Sequence, residues 1–152
     1  MEVNTKQLEF KELAGTSWRL GILKTEAAKR RQDRELFRSL AFSSPVGIYI
    51  VQDGKFCYVN PQFQEDVGYS KSELIGMESL RLVKTEDRDM VRENAVRMLR
   101  GERSSSYEYR IVHKDTSIRW VLETVAPIQY RGRQATVASC MNITGRKEME
   151  KK

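Results

Sequence analysis

The sequence predicts an α+β fold with one antiparallel sheet, preceded by a helical segment. Two short strand patterns meet at Asp53-Gly54, helix signals follow, and three longer strand patterns separated by short turns complete the chain. Strands joined by short turns pair in the antiparallel sense, and the amphipathic helices between them must bury their apolar sides on the sheet. We therefore expect a five-stranded antiparallel sheet with its helices on one face.

The N-terminal residues 1–41 differ from the rest of the chain because they contain few strand-formers. A charge-dense run begins at Lys24, and we predict a helix over residues 24–40. Before it, Gly15 and Gly21 interrupt the apolar pattern, which predicts a shorter helix or a partly ordered segment. Charged residues interrupt the apolar stripe of residues 24–40, so two interpretations remain open: a solvated helix, or a helix that mediates dimerisation.

The first two strands form a hairpin that leads directly into a helix. Residues 48–51 and 56–59 are rich in strand-formers, and Asp53-Gly54 between them tolerates the positive φ of a two-residue turn. Asn60 has a side-chain oxygen suited to an N-cap, and Pro61 is pre-set for the first helical position. The sequence therefore predicts that a helix begins at this point.

Glycine and serine then predict where that helix ends and the next begins. Gly68 can adopt the left-handed conformation that terminates a helix. Ser70 with Glu73 three residues later is typical of a capping box.

The second half of the chain predicts one longer helix and three strands. The helix covers residues 86–99, with Thr85 as its N-cap and Gly101 after its end. Alternating patterns predict strands at residues 106–113, 118–129 and 134–143, connected as a meander.

These motifs, in this order and spacing, resemble those of a PAS sensor domain. The motifs that carry the resemblance are the hairpin with its Asp-Gly turn, Tyr58-Val-Asn-Pro-Gln-Phe63, Gly68-Tyr-Ser-Lys-Ser-Glu-Leu-Ile-Gly76, Thr85-Glu-Asp-Arg88, Lys114-Asp115 with Arg119-Trp-Val121, and Asn142-Ile-Thr144 with Arg146-Lys147. The resemblance covers about residues 42–147 and implies the strand order 2-1-5-4-3. It divides the chain into an N-terminal helical extension (1–41), a sensor domain (42–145) and the start of a connector helix (146–152) that leads toward an effector.

Composition argues against several classes of function. The chain has 27 Lys and Arg against 21 Asp and Glu, but the signs are interspersed, so no nucleic-acid partner is expected. A single histidine, His113, excludes a histidine-based triad or a multi-histidine metal site, and no phosphate-binding glycine loop is present. Two isolated cysteines fit a reducing, cytoplasmic compartment, and no apolar run reaches the roughly 20 residues of a membrane span. We expect no catalysis in this chain and no metal site.

The resemblance also implies what the domain could hold, since the family uses the space between sheet and helices for haem, flavin, small metabolites or nothing. Haem-binding members take an axial histidine from the long helix, and residues 86–99 contain none. Flavin photosensors place a reactive cysteine where this chain has Ser79. Haem and cysteinyl-flavin are therefore not expected.

Strand parity gives a set of candidate cavity residues. It places alternate residues of each strand on one face, and in ligand-binding relatives this face looks inward. The candidates from parity are Ile48, Ile50, Phe56, Tyr58, Val121, Glu123, Val125 and Cys140, and the resemblance adds Ser79. Glu123 either serves a ligand amine or an internal arginine, or is turned to solvent by twist or a bulge. Cys140 is expected to be a buried structural thiol.

The C-terminal motif departs from the family pattern. Asn142, Ile143 and Thr144 stand where Asp-Ile-Thr is usual, and Gly145 replaces an acidic residue. The resemblance assigns signal coupling to Asn142, Thr144 and Gly145; Asn142 has lost the charge that ties the sensor to its output helix, and Gly145 is a hinge candidate. Thr116 also stands at a turn position where glycine is usual.

Taken with the resemblance, these observations predict the sensory input module of a histidine kinase or a cyclic-dinucleotide enzyme. It would sense a small, largely apolar metabolite and form a homodimer through the N-terminal helix or a sheet face. The alternative is a ligand-free module for protein interaction and dimerisation.

Overall fold

A computed structural model describes the backbone of residues 5–103 and 105–151 and the side chains of residues 21–103 and 105–151. The helices are α1 (Thr5–Ser43), α2 (Pro61–Val67), α3 (Lys71–Leu74), α4 (Arg88–Leu99) and α5 (Thr144–Glu150), with 3-10 turns at Ser79–Leu82 and Thr85–Asp87. The strands are β1 (Gly47–Gln52), β2 (Lys55–Val59), β3 (Tyr107–Val112), β4 (Ile118–Tyr130) and β5 (Arg133–Asn142). All neighbouring pairs are antiparallel, in the order β2-β1-β5-β4-β3, which confirms the predicted fold class and strand order.

Helix α1 is longer than the sequence pattern predicts. It runs without interruption from Thr5 to Ser43, so Gly15 and Gly21 do not break it, and the prediction of a separate shorter helix is wrong. A glycine inside a helix lowers the stability of the helix by about 1 kcal/mol relative to alanine. A helix of 39 residues can remain continuous despite this loss. Residues 1–40 and residues 41–152 form two separate compact units. Within the described residues, no helix combines the length and the apolar character that crossing a membrane requires.

Asn60 joins β1 to α2, the first strand and the first helix within the unit formed by residues 41–152. Its Oδ1 accepts hydrogen bonds from the Phe63 amide (2.9 Å) and the Ile48 amide (2.8 Å). Its Nδ2 donates to the carbonyl oxygens of Ala41 (2.7 Å) and Val46 (3.0 Å). The predicted N-cap is therefore confirmed, and the same fully buried side chain also satisfies backbone groups of β1 and of the segment before it.

The two following helix boundaries also agree with the sequence. Gly68 has φ 80° and terminates α2. Ser70 and Glu73 form the reciprocal capping box of α3, with the Glu73 amide donating to Ser70 Oγ at 3.3 Å.

Helix α4 begins two residues later than predicted, because its acidic first turn serves another purpose. Thr85–Asp87 form a 3-10 turn, and the residue at the N-cap position is Asp87, not Thr85. The Asp87 carboxylate makes no capping hydrogen bond. It forms an ion pair with Arg110, on β3, with 2.5 Å between Asp87 Oδ1 and Arg110 Nη2. This ion pair joins the start of α4 to the sheet.

A β-bulge interrupts the pairing of β1 with β2. Tyr49 pairs with Val59 and Ile50 with Tyr58, but Val51 pairs with Phe56. Cys57 therefore has no residue opposite it on β1. The extra residue reverses the alternation within β2. Phe56 consequently lies on the face opposite to Tyr58.

The core lies between the inner face of the sheet and helices α2 to α4. Tyr49, Phe56 and Phe63 pack ring against ring, with centroids 4.8 to 5.5 Å apart. Val67, Leu74 and Val91 bring the helices into the same cluster, together with the inward residues of β3, β4 and β5.

Thr116 occupies a strained position in the turn between β3 and β4. Its φ is 74°, in the left-handed region that costs a side chain with a Cβ about 1 to 2 kcal/mol. We expect Thr116→Gly to raise the free energy of unfolding by about 1 kcal/mol, measured by urea denaturation, after the greater unfolded-state freedom of glycine is subtracted. Thr116→Ala is the matched control and should bring no such gain, because alanine keeps the Cβ. Equal stabilisation by both variants would show that φ is not the cause.

Candidate ligand-binding cavity

A cavity of about 330 Å³ lies within the unit formed by residues 41–152, between the inner face of the sheet and the helices. Its walls are mostly apolar. The sheet contributes Val51, Phe56, Ile111 and Val125, and helix α4 contributes Val91, Ala95 and Leu99. Ser79, Glu123 and Arg92 add polar groups. An apolar pocket with a few placed polar groups is the usual form of a small-molecule site.

Glu123 is the buried polar centre of this cavity. Its side chain is 2% exposed and lies on the inner face of β4 opposite Tyr107 and Cys140. Three tyrosine hydroxyls donate to its carboxyl group: Tyr107 to Oε2 at 2.6 Å, Tyr109 to Oε1 at 2.8 Å, and Tyr49 also to Oε1. We call Glu123 with Tyr49, Tyr107 and Tyr109 the Glu–Tyr cluster.

The cluster sits in surroundings that disfavour charge. Burial raises the pKa of Glu123, although hydrogen bonds from the three hydroxyls act in the opposite direction. Burial and the neighbouring Glu123 charge raise the pKa of all three tyrosines above their usual value, so these hydroxyls remain donors. Burial likewise raises the pKa of the Cys140 thiol, which makes it unreactive.

The structure brings some of the predicted residues to the cavity and not others. Phe56, Ser79, Glu123 and Val125 line it. Val121 and Cys140 are buried in the adjoining core and do not line it. Neither an arginine nor a turn to solvent accounts for Glu123, because tyrosine hydroxyls are its partners.

The expectation that Ile48, Ile50 and Tyr58 face the cavity is wrong. Tyr49 contacts Phe56, Phe63 and Glu123, so its neighbours Ile48 and Ile50 point to the opposite face of β1. Tyr58 pairs with Ile50 and shares that outer face because of the bulge at Cys57.

Sequence reasoning missed the tyrosines of the cluster. Tyr107 and Tyr109 share the parity of Ile111, and pairing β3 with β4 would have placed them beside Glu123. The choice of Ile48 and Ile50 as inward residues places Tyr49 on the wrong face of β1, since the unbroken apolar run of this strand does not distinguish inside from outside. A buried glutamate needs hydrogen-bond donors, and the tyrosines whose parity places them on the same face could have been predicted as those donors.

The predicted coupling residues lie at the junction of β5 and α5. Asn142 Oδ1 accepts from both the amide (3.0 Å) and the hydroxyl (2.6 Å) of Thr144. The Thr144 hydroxyl oxygen accepts from the Trp120 amide on β4 at 2.9 Å. Gly145 lies within α5, and nothing surrounds the position of a Cβ there.

Charged side chains attach α5 to the outer face of the sheet. Glu108, on β3, receives Arg146 at 2.6 Å and Lys147 at 2.5 Å, and the Lys147 ammonium lies 4.8 Å from the centre of the Trp120 ring. The Lys147 contact lowers the pKa of Glu108. Arg110 approaches the same ring at 5.6 Å, so the ion pair at the start of α4 and the ion pairs of α5 converge on Trp120.

The residues that line the cavity do not fit haem or a cysteinyl-flavin adduct. Neither histidine nor cysteine is among the described residues that line it, and α4 carries no histidine. Haem therefore finds no axial nitrogen, and Ser79 offers a hydroxyl that cannot form a cysteinyl adduct with flavin. No cluster of three or more His, Cys, Asp or Glu suited to a metal occurs among the described residues.

Comparison with known proteins agrees with this architecture. The sequence profile described as PAS fold matches residues 56–141, which is more than half of the chain. The chain belongs to the PAS fold family. No curated protein matches it.

Solved PAS domains share the fold at low sequence identity. The PAS domain of an HTR-like protein from Haloarcula marismortui is 21% identical, with a TM-score of 0.59, over 79% of this chain and 99% of that one. A PAS domain from Colwellia psychrerythraea is 20% identical, with a TM-score of 0.67, over 74% and 98%. A PAS domain from a two-component sensor histidine kinase is 14% identical, with a TM-score of 0.58, over 74% and 98%. PAS domains are typical sensory signalling modules, and the strand order of the sheet in this chain is that of the PAS fold.

Proposed function

We propose that this PAS domain is the sensory input module of a signal-transduction protein and binds a small, largely apolar molecule in its interior cavity. The cavity itself carries the proposal. Its apolar walls favour an apolar ligand by removing that ligand's surface from water, and the Glu–Tyr cluster supplies a polar group that can orient it.

Helix α5 supports a place upstream of an effector. It leaves the sheet immediately after β5 and is fixed at its first turn by Glu108. A connector in this position suits a histidine kinase or a cyclic-dinucleotide enzyme as the output domain, and one similar PAS domain is that of a two-component sensor histidine kinase. Catalysis belongs to that output domain and not to this chain. The free thiols Cys57 and Cys140 are compatible with a cytoplasmic location, which is part of the proposal.

Ligand binding is tested by a thermal-shift screen against small apolar and amphipathic metabolites. A ligand that binds only the folded state stabilises it by about 2.7 kcal/mol at a hundredfold excess over its dissociation constant. We expect Ala95→Phe to abolish the shift produced by any hit, because residue 95 lines the cavity and the larger ring occupies it. Glu93→Phe is the matched control, since residue 93 is exposed on the same helix and should keep the shift. A hit that survives Ala95→Phe binds elsewhere and contradicts the proposal.

A second candidate function is dimerisation without a ligand, which the exposed apolar side chains favour. On α1, Leu36 and Leu40 are 60% and 62% exposed and lie one helical turn apart. A contiguous apolar patch on a surface helix can bind another chain, and Leu36 and Leu40 would form the centre of such a patch.

We expect the full chain to be a dimer of its 17.7 kDa protomer in light scattering, and Leu36→Gln with Leu40→Gln to make it monomeric. Arg34→Gln with Arg38→Gln is the matched control, with the same spacing and the same new residue, and should stay dimeric. A monomeric wild-type chain would end this second proposal.

A further inference from the structure

In its ionised form, Glu123 places a negative charge in the cavity, and no cationic side chain is paired with it among the described residues. Arg92 also lines the cavity, but it is exposed, so solvent screens its charge. A buried carboxylate without a counter-ion is costly unless something else supplies the positive charge.

The hydrogen-bonding capacity of Glu123, by contrast, is largely used. A carboxylate offers about four lone-pair sites, and three tyrosine hydroxyls occupy three of them. A neutral ligand that donates one more hydrogen bond would fill the last site and leave the charge unbalanced. A cationic ligand would fill that site and balance the charge as well.

Aromatic rings beside the cluster also favour a cation. Tyr49, Phe56 and Phe63 all line the cavity and lie against one another, with centroids 4.8 to 5.5 Å apart. The negative face of an aromatic ring attracts an ammonium group within about 6 Å, most strongly where water is excluded. The apolar wall formed by Val91, Ala95 and Leu99 suits the uncharged body of the same ligand.

We propose that the ligand of this cavity is a small organic cation, a protonated amine on an apolar or aromatic body, with its ammonium group at Glu123. This rests on the proposed sensing function and specifies its ligand class. Glu123 supplies the charge, the tyrosine hydroxyls hold the carboxylate in place, and the rings of Tyr49, Phe56 and Phe63 surround the ammonium group.

The test compares matched amines and alcohols by titration calorimetry: benzylamine with benzyl alcohol, 2-phenylethylamine with 2-phenylethanol, and 3-phenylpropylamine with 3-phenylpropanol. We expect at least one amine to bind wild-type protein about tenfold or more tighter than its alcohol, as charge-assisted hydrogen bonds allow. Glu123→Gln should remove that preference, because the amide keeps the shape without the charge. Glu93→Gln, the same change on the exposed side of α4, should retain it.

The outcomes separate the two proposals. Alcohols that bind as tightly as their amines would overturn the cationic ligand class and leave sensing of an apolar molecule intact. If no compound of either series binds, the cationic ligand class is overturned, and the thermal-shift screen decides separately whether the cavity binds another apolar molecule. The comparison within wild-type protein does not depend on any variant, so a poorly folded Glu123→Gln would not prevent the decision.

Discussion

Replacing Asn60 with alanine is expected to lower the free energy of unfolding of the PAS domain by about 4 kcal/mol, since a buried group that loses its partner costs about 1 to 3 kcal/mol. The truncation leaves four backbone groups without their side-chain partner: the amides of Ile48 and Phe63 and the carbonyls of Ala41 and Val46. Urea denaturation of the full chain measures the change. Few substitutions of a polar side chain are expected to cost as much.

Ser70→Ala provides the matched control for the loss at Asn60. Both residues are N-caps, but Ser70 is exposed and bonds within its own capping box. Loss of an exposed cap typically costs about 1 kcal/mol. Equal losses for the two variants would mean that the bonds from Asn60 to β1 and to Ala41 contribute nothing beyond the cap.

Glu123→Ala is expected to lower the free energy of unfolding by about 3 kcal/mol, because three buried hydroxyls lose their acceptor and the cavity grows. Glu123→Gln should cost far less. Its amide oxygen can accept from two tyrosines, and its amide nitrogen can donate to the third hydroxyl oxygen. Denaturation of both variants beside wild type separates the loss of the acceptor from the loss of the charge.

The difference in free energy of unfolding between wild type and Glu123→Gln should depend on pH, and the sign of that dependence follows from the pKa of Glu123. Burial raises the pKa of Glu123 above 4.5 in the folded state, so the folded protein holds this proton more tightly than the unfolded chain does. The contribution of Glu123 to stability is therefore complete below pH 4.5 and is lost as pH rises through the folded-state pKa. The stability of Glu123→Gln minus that of wild type should be constant at low pH and should increase as pH rises above 4.5.

The difference isolates Glu123 from the other groups that titrate. The groups near it are Tyr49 from β1, Tyr107 and Tyr109 from β3, Cys140 from β5, Arg92 from α4, and Arg103, whose guanidinium lies 5.8 Å from the centre of the Tyr107 ring. All are shared by both proteins. Asp87 and Glu108, whose pKa values are lowered by Arg110 and Lys147, favour stability at higher pH in both. A difference that decreases with rising pH would contradict a raised pKa at Glu123.

Local chemistry in the sequence was sufficient to predict most element boundaries. Helix caps act on residues within one turn of themselves, so the neighbouring sequence is enough to predict their effect. This holds for Asn60-Pro61, Gly68 and the Ser70 capping box. The family resemblance supplied the strand order, which periodicity could not. The extent of α1 was underestimated because glycine propensity is a weak signal against a long helix.

The cavity was harder to predict because it depends on which face of each strand points inward. In β4, Glu123 and Val125 line the cavity and alternate with exposed or half-buried residues, so parity distinguishes the two faces of this strand. In β1 every residue from Ile48 to Val51 is apolar or aromatic, so alternation carried no information there. The tyrosine partners of Glu123 come from two other strands, β1 and β3, and only the pairing of the strands brings the hydroxyls together.

The bulge at Cys57 has a consequence for how this domain can diversify. Phe56 belongs to the cavity wall, whereas Tyr58, two residues later, lies on the outer face of the sheet. In a regular strand these two positions would share one environment, and a change at either would act on the same surface. With the bulge, mutation at residue 56 can retune the interior while residue 58 is conserved, and the outer surface can change while the interior is preserved. Substitutions at residues 56 and 58 of β2 can therefore change the cavity and the outer face of the sheet independently of each other.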